Sequence, residues 1–275
     1  MRYWAAGTAP GKDAIISEEK MQAGAKLVNK LWNVARFSQR FVLDLGDEAI
    51  ADPAVFSPAD RWLLARTRQL VQRVTDAFDR YDYAAANHEL ESFFWTEFTD
   101  NYLEMAKQRL YQPDSRYHLG ARMALRQALL TLLKLYAPIL PYVTDAIYQA
   151  LFATAEGCAS IHRARWPQGE TGATHEDQAA IAVGEALVQI ATAVRRYKSE
   201  AQLALGTELA RLDLMTPDPL LVAALPAAEE DLKSITRAQA VHFSTPGATS
   251  SAAIHGGVAV VCHCAATDLP QALAA

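Results

Sequence analysis

Between Lys20 and Leu43 the chain carries five cations, Lys20, Lys26, Lys30, Arg36 and Arg40, and no carboxylate. The protein as a whole is acidic, with a net charge of −5, so bulk composition does not explain the run. At about 100° per residue on a helix, Lys26, Asn29, Lys30, Asn33, Arg36, Phe37 and Arg40 share roughly a third of the circumference. Leu27, Val28, Leu31, Val34, Ala35, Phe41 and Val42 fall on the rest. Cations attract phosphates, amides offer donors and acceptors to base edges, and an aromatic ring among them offers a stacking surface. That chemistry suits a polyanion with exposed bases. A solvated helix face is the simpler account of a charge run alone, but it leaves Phe37 on the polar arc without a reason.

Other constellations carry less. Cys262-His263-Cys264 with His255 invites a zinc reading, but adjacent residues on a strand point to opposite faces. Zinc-binding cysteines are also usually two to four residues apart. Glu89, Glu91, Glu97 and Glu104 form no acid/base pair with a histidine at helical spacing, and His88 reads as a surface residue. No glycine-rich phosphate loop occurs, and no nucleophile stands beside an activating partner. The residues describe a binding module with no catalytic residue and no metal site.

The elements that position these residues are helical over the first two hundred positions. Ser57-Pro58-Ala59-Asp60 supplies an N-cap, a proline at N1 and a carboxylate at N3 for a helix running to about Arg80. Asp82-Tyr83 opens a long helix to about Leu110, with Leu90, Phe93, Phe94, Phe98, Tyr102 and Met105 as its buried stripe. A helix from about Tyr117 to Tyr136 stops at Pro138 and Pro141, and a short one spans about Val143 to Phe152. Thr174 caps the next, which extends to about Ala201. Beyond Gly206 the texture changes. Leu209 to Met215, Ala240 to Ser244 and Val258 to Cys264 read as strands, with a helical stretch from about Pro219 to Thr236. The expected fold is mainly α, a helical bundle followed by a small α/β unit. The divisions fall at 1–20 (a connection), 21–203 (the bundle) and 204–275 (the α/β unit).

With 275 residues, 51% hydrophobic and 21% charged, the composition is that of a soluble protein, long enough for one large domain or two smaller ones. Three cysteines and no secretion signal point to a reducing cytoplasm. No apolar run is long enough to span a membrane.

Several segments resemble one family closely. Lys30-Leu31-Trp32-Asn33-Val34-Ala35-Arg36-Phe37 resembles the K-L-W-N-A-A-R-F segment of valyl-tRNA synthetases. Asp60-Arg61-Trp62-Leu63-Leu64-Ala65-Arg66 is similar to D-R-W-I-L-S-R. Tyr81-Asp82-Tyr83 and the run Phe93 to Glu104 follow Y-D-F…F-F-W-x-x-F-C-D-x-Y-L-E. Lys107-Gln108-Arg109-Leu110-Tyr111 matches K-x-R-L-Y. Ala137 to Tyr148 resembles H-P-F-M-P-F-I-T-E-E-I-W with conservative departures. Ser160-Ile161-His162 and Trp166-Pro167 fit S-I-x…W-P, and Asp231 to Ala238 is similar to D-I-x-x-I-T-R-A. Order and spacing hold from Arg2 to about Val241.

The resemblance implies the anticodon-binding region of a class I aminoacyl-tRNA synthetase of the valine type, a helical bundle that grips the anticodon stem and loop. The H-I-G-H and K-M-S-K-S signatures and the editing domain are not in this sequence. The implied valine–tRNA ligase activity, with its ATP and magnesium, therefore belongs to a full enzyme. This chain alone, with no cofactor of its own, is expected to be inactive, as a fragment of that enzyme or as a stand-alone tRNA-binding relative. A helical protein-interaction module is the rival from another class. The implied partners are tRNA of the valine type and the enzyme's catalytic domain, with Arg2, Tyr3 and Trp4 on the docking surface. The implied contacts are Lys26, Lys30 and Arg40 to phosphates, Phe37 stacked on a loop base, and Asn33 and Arg36 on base edges. A local cap or an ion pair within the bundle is the competing role for Asn33 and Arg36. Arg195, Arg196 and Lys198 form a second cationic group, for the stem backbone or simply a solvated helix end. Trp32 is expected in the core.

Overall fold

The structure, a computed structural model, describes residues 1–9, 11–13, 16–45, 53–168, 174–244, 254–255 and 257–264. Several of its helices start where a short polar side chain satisfies a free N–H of the first turn. Helix α1 is Arg2–Ala6 and α2 is Glu18–Val42, its N-cap Ser17 accepting from Lys20 N. Helix α3, Pro58–Asp79, opens on the expected capping box. Ser57 N donates to Asp60 Oδ2 at 3.0 Å and Asp60 N to Ser57 Oγ at 3.3 Å. Asp82 caps α4, Tyr83–Ser92. Then follow α5 (Leu103–Tyr111), α6 (His118–Tyr136), α7 (Pro141–Leu151), α8 (Ala153–Glu156) and α9 (His175–Glu200). Thr174 and Asp177 form a second capping box at the start of α9.

The long helix expected from Asp82 to Leu110 is not one α-helix. Its middle, Phe93–Tyr102, winds as a π-helix. A turn closed by i→i+5 bonds holds more than four residues, which keeps residues four apart on one side. Leu90, Phe94, Phe98 and Tyr102 are accordingly all buried.

The C-terminal part contains β1 (Leu209–Met215), α10 (Pro219–Ala224), α11 (Glu229–Thr236), β2 (Ala238–Ser244), β3 (Ile254–His255) and β4 (Val258–His263). The sheet order is β2-β1-β4-β3. β1 and β2 are parallel, Leu209 opposite Ala238, and α10 and α11 supply the crossover that parallel strands need. β4 lies antiparallel to β1, with Leu212 opposite Cys262. The stretch expected as one helix from Pro219 to Thr236 breaks into a 3-10 turn at Leu225–Ala228, where Pro226 has no N–H to donate.

Two compact units result. One comprises Met1–Pro53, Leu63–Thr99 and Arg122–Ala173; the other Ala54–Trp62, Asp100–Ala121 and Thr174–Ala275. This differs from the linear division at 20 and 203. In the second unit Val183, Leu187, Ile190 and Val194 of α9 share one core with Leu209, Leu212, Leu214 and Val241 of the sheet. An amphipathic helix assigned to the bundle by its period is in fact the cover of the sheet. Its Gly184 is required there: a Cβ would lie 1.9 Å from Trp62 Cγ. In the first unit α1 packs on α2 and α4. Tyr3 lies over Gly24, where a Cβ would stand 2.7 Å from its ring, and its hydroxyl donates to Glu91 Oε2 at 2.7 Å.

Candidate nucleic-acid interface

Helix α2 buries Leu27, Leu31, Val34, Ala35, Phe41 and Val42. The opposite face is solvent-exposed over Lys26, Asn29, Asn33, Arg36 and Arg40. Among the described residues Asn33 and Arg36 have neither a hydrogen-bond partner nor an ion pair. The local cap and the interhelical salt bridge that compete for them are therefore not seen. Lys30 and Phe37 sit at the rim, half-buried. Lys30 Nζ stands 5.7 Å over the Trp95 ring. Phe37 packs edge-on against Phe41 at 5.3 Å, and the Arg40 guanidinium lies 5.9 Å from the Phe37 ring. Phe37 is thus an anchored ring with part of its surface open.

Trp32 corrects an expectation: it is 44% exposed. The buried arc is centred well round from the far side of the cationic stripe. Trp32, four residues before Arg36 and so roughly 40° from it, belongs to the exposed side. The α2 face consequently offers a second large ring beside Arg36.

The three residues of the second cationic group have different surroundings. Arg196 is exposed and pairs with Glu200 at 2.7 Å. Arg195 donates to Asp100 O at 2.7 Å and to Asn101 Oδ1 at 3.1 Å. Lys198 is only 2% exposed. Its ammonium donates to the carbonyls of Leu205, Thr207 and Thr236 at 3.1, 2.6 and 3.0 Å, and burial lowers its pKa. Lys198 Nζ is thus turned inward and closes a turn from inside. A helical projection places it with Arg195 but does not show that β1 and α11 arrive over it.

Three polar residues within the family-like motifs are also internal. Arg109, Asp60 and Asp231 are all buried. Arg109 Nη1 and Nη2 donate to Asp60 Oδ2 and Oδ1 at 2.8 and 3.0 Å, and Nε donates to Asp231 Oδ1 at 2.7 Å. Tyr102 Oη donates to Asp60 Oδ1 at 2.9 Å. Burial pushes the Asp231 carboxyl up to about 6 against the opposing pull of Arg109, with Asp60 adding like-charge repulsion. Sequence reasoning assigned Arg109 no role. The available signal was an arginine in the heart of an apolar helix face, followed by the search for its acid.

The carboxylates near the aromatic run are each taken. Glu97 is held by Arg66 through two bonds of 2.7 Å, Glu89 by Arg73, and Glu104 by Lys107. On β4, Cys262 packs toward the core while His263 pairs with Asp213 at 2.8 Å on the other face, as strand alternation requires. A cleft of about 490 Å³ in the first unit is lined by Tyr3, Trp4, Met21, Val28, Asn29 and Tyr142 among others. Tyr142 there is 87% exposed. Among the described residues no helix is long and apolar enough to cross a membrane.

Comparison with known proteins adds the following. Residues 60–214 match the family described as the anticodon-binding domain of tRNA ligase. The chain is 36% identical over 253 residues to a valine–tRNA ligase of Anaplasma marginale, covering 90% of this chain and 29% of that protein. It is 38% identical over 251 residues to the valine–tRNA ligase of Methanopyrus kandleri, covering 88% and 26%. With the valine–tRNA ligase of Thermococcus kodakarensis the figures are 34% over 218 residues, 79% and 24%. The chain thus spans less than a third of the length of these curated relatives.

Proposed function

Because the chain belongs to the family of anticodon-binding domains of tRNA ligases, we propose that it is the anticodon-recognising part of a valine–tRNA ligase. The carrying observation is the α2 face: Asn33 and Arg36 are exposed, without partners among the described residues, and flanked by cations and two aromatic rings. Lys26, Lys30 and Arg40 meet phosphates and supply salt-sensitive affinity. Phe37 stacks on an unpaired loop base, worth roughly 1–3 kcal/mol. Asn33 and Arg36 contact base edges and supply discrimination. Arg196 remains available to a phosphate, Arg195 only partly, and Lys198 is withdrawn from the site.

Valine attachment, with its ATP and magnesium, belongs to the catalytic part of such an enzyme, and the chain alone is inactive. The apolar cleft at Tyr3, Trp4 and Tyr142 receives that catalytic part. The setting is the cytoplasm. The test is binding of the chain to a valine anticodon stem-loop as salt is raised, repeated with Phe37→Ala and Arg36→Ala. Binding that weakens with salt and falls in both variants supports the reading. No binding at low salt, or unchanged binding in both variants, overturns it.

A further inference from the structure

A second feature of the chain points to RNA and belongs to elements other than α2. In the second unit, α5, α11 and the start of β2 enclose a concave groove of about 620 Å³. Lys107, Tyr111, Lys233 and Arg237 line it, with Gln108 and Gln239 between them. Helix α5 is fastened to α11 here by Ser234, whose Oγ donates to Glu104 O at 2.5 Å and accepts from Gln108 N at 3.4 Å. The groove is therefore a fixed shape rather than a gap between mobile parts. Glu208 is the one carboxylate in its lining, and it is engaged by Gln239 at 2.9 Å. Lys107 and Lys233 each lean on a glutamate of their own helix, Glu104 and Glu229, which orients the ammonium groups without closing the groove.

Arg237 is the most informative member. It is exposed and follows the last turn of α11 in the left-handed region, with φ of 62°. That position favours glycine, because a Cβ is strained there. Among the described residues its guanidinium has no partner. The fold thus carries a strained non-glycine residue whose side chain contributes nothing visible to it, a pattern that marks functional positions.

We infer that this groove is a second phosphodiester-binding surface for the same RNA. Lys107, Lys233 and Arg237 meet backbone phosphates, and the half-exposed Tyr111 ring offers a stacking face. An acidic peptide would use the cations equally well, but the Tyr111 ring beside them offers a base a stacking face and so favours RNA. The inference rests on the tRNA-binding reading above and extends it from one surface to two.

The experiment uses the full chain and a tRNA transcript with a valine anticodon, compared with one of altered anticodon. The variant is Lys107→Ala/Lys233→Ala/Arg237→Gly. Its glycine suits the left-handed position, so the thermal midpoint of the Arg237→Gly single variant should hold or rise. The triple variant should lose about tenfold in affinity near 0.1 M salt. The slope of log affinity against log salt should shrink by about 2–3, near 0.7–0.9 per lost phosphate contact, while the preference for the valine anticodon is kept. Unchanged affinity and slope would overturn the groove and leave the α2 reading standing. Loss of binding to a polyglutamate peptide with RNA binding intact would also overturn it, in favour of an acidic protein segment. If the unaltered chain binds neither transcript, both readings fall.

Discussion

Asp60 and Arg109 meet through two parallel hydrogen bonds of 2.8 and 3.0 Å with neither side chain exposed to solvent. The same Asp60 caps the first turn of α3, so one carboxylate starts a helix and neutralises a buried guanidinium from another.

Arg109→Met should therefore be among the most damaging single changes. It leaves Asp60 and Asp231 buried together without a counter-charge, a situation that typically costs about 3–5 kcal/mol. Urea unfolding should show this loss, and adding Asp60→Asn and Asp231→Asn should restore part of it. A loss below about 1 kcal/mol would mean that water reaches the cluster.

Asp231 predicts a pH dependence of unusual sign for a carboxylate. Its folded pKa, about 6, lies above the unfolded value of about 3.9. The folded state then holds a proton that the unfolded state has released. The stabilisation is complete below about pH 4 and is lost as pH rises through 6. The stability of the native protein relative to Asp231→Asn, which mimics the neutral acid, should fall across that window. A flat difference between the two denaturation series would exclude it.

On the α2 face the residues should separate by role. Lys26→Ala should weaken stem-loop binding equally for all anticodons and reduce the salt slope by about 1. Asn33→Ala should relax discrimination at one base at a cost of about 1–3 kcal/mol, leaving the slope unchanged. Fluorescence anisotropy titrations against a panel of stem-loops read both quantities.

Lys198→Met should destabilise the fold by about 1–3 kcal/mol, because three inward carbonyls lose their donor. RNA affinity measured well below the melting temperature should not change. Arg196→Ala should do the reverse, since its exposed pair with Glu200 contributes little to stability. An affinity loss in Lys198→Met at full folding would return the lysine to the RNA surface.

Much of this was legible along the chain. The caps at Ser57, Asp82 and Thr174 announce themselves because their bonds close within three residues. The apolar stripe of α2 through Leu27, Leu31, Val34, Phe41 and Val42 also follows from its period, and these residues are buried. What could not be read depends on partners far away in the sequence. Arg109 is 122 residues from Asp231, and Lys198 is 38 from Thr236. Trp32 was misplaced because the period fixes relative angles on a helix but not which arc the neighbours cover. The π-helix was hidden because Leu90, Phe94, Phe98 and Tyr102 also make a plausible α stripe.

The three-part origin of the second unit has a consequence for biogenesis. As a ribosome makes this chain, residues 54–62 and 100–121 emerge before the rest of their unit, and their share of the core stays uncovered until the residues from Thr174 onward arrive. Arg109 waits through 122 residues of synthesis for Asp231. A product that stops before β1 leaves Leu187 and Ile190 of α9 without the strands that bury them, and such an open apolar surface is what chaperones and proteases recognise.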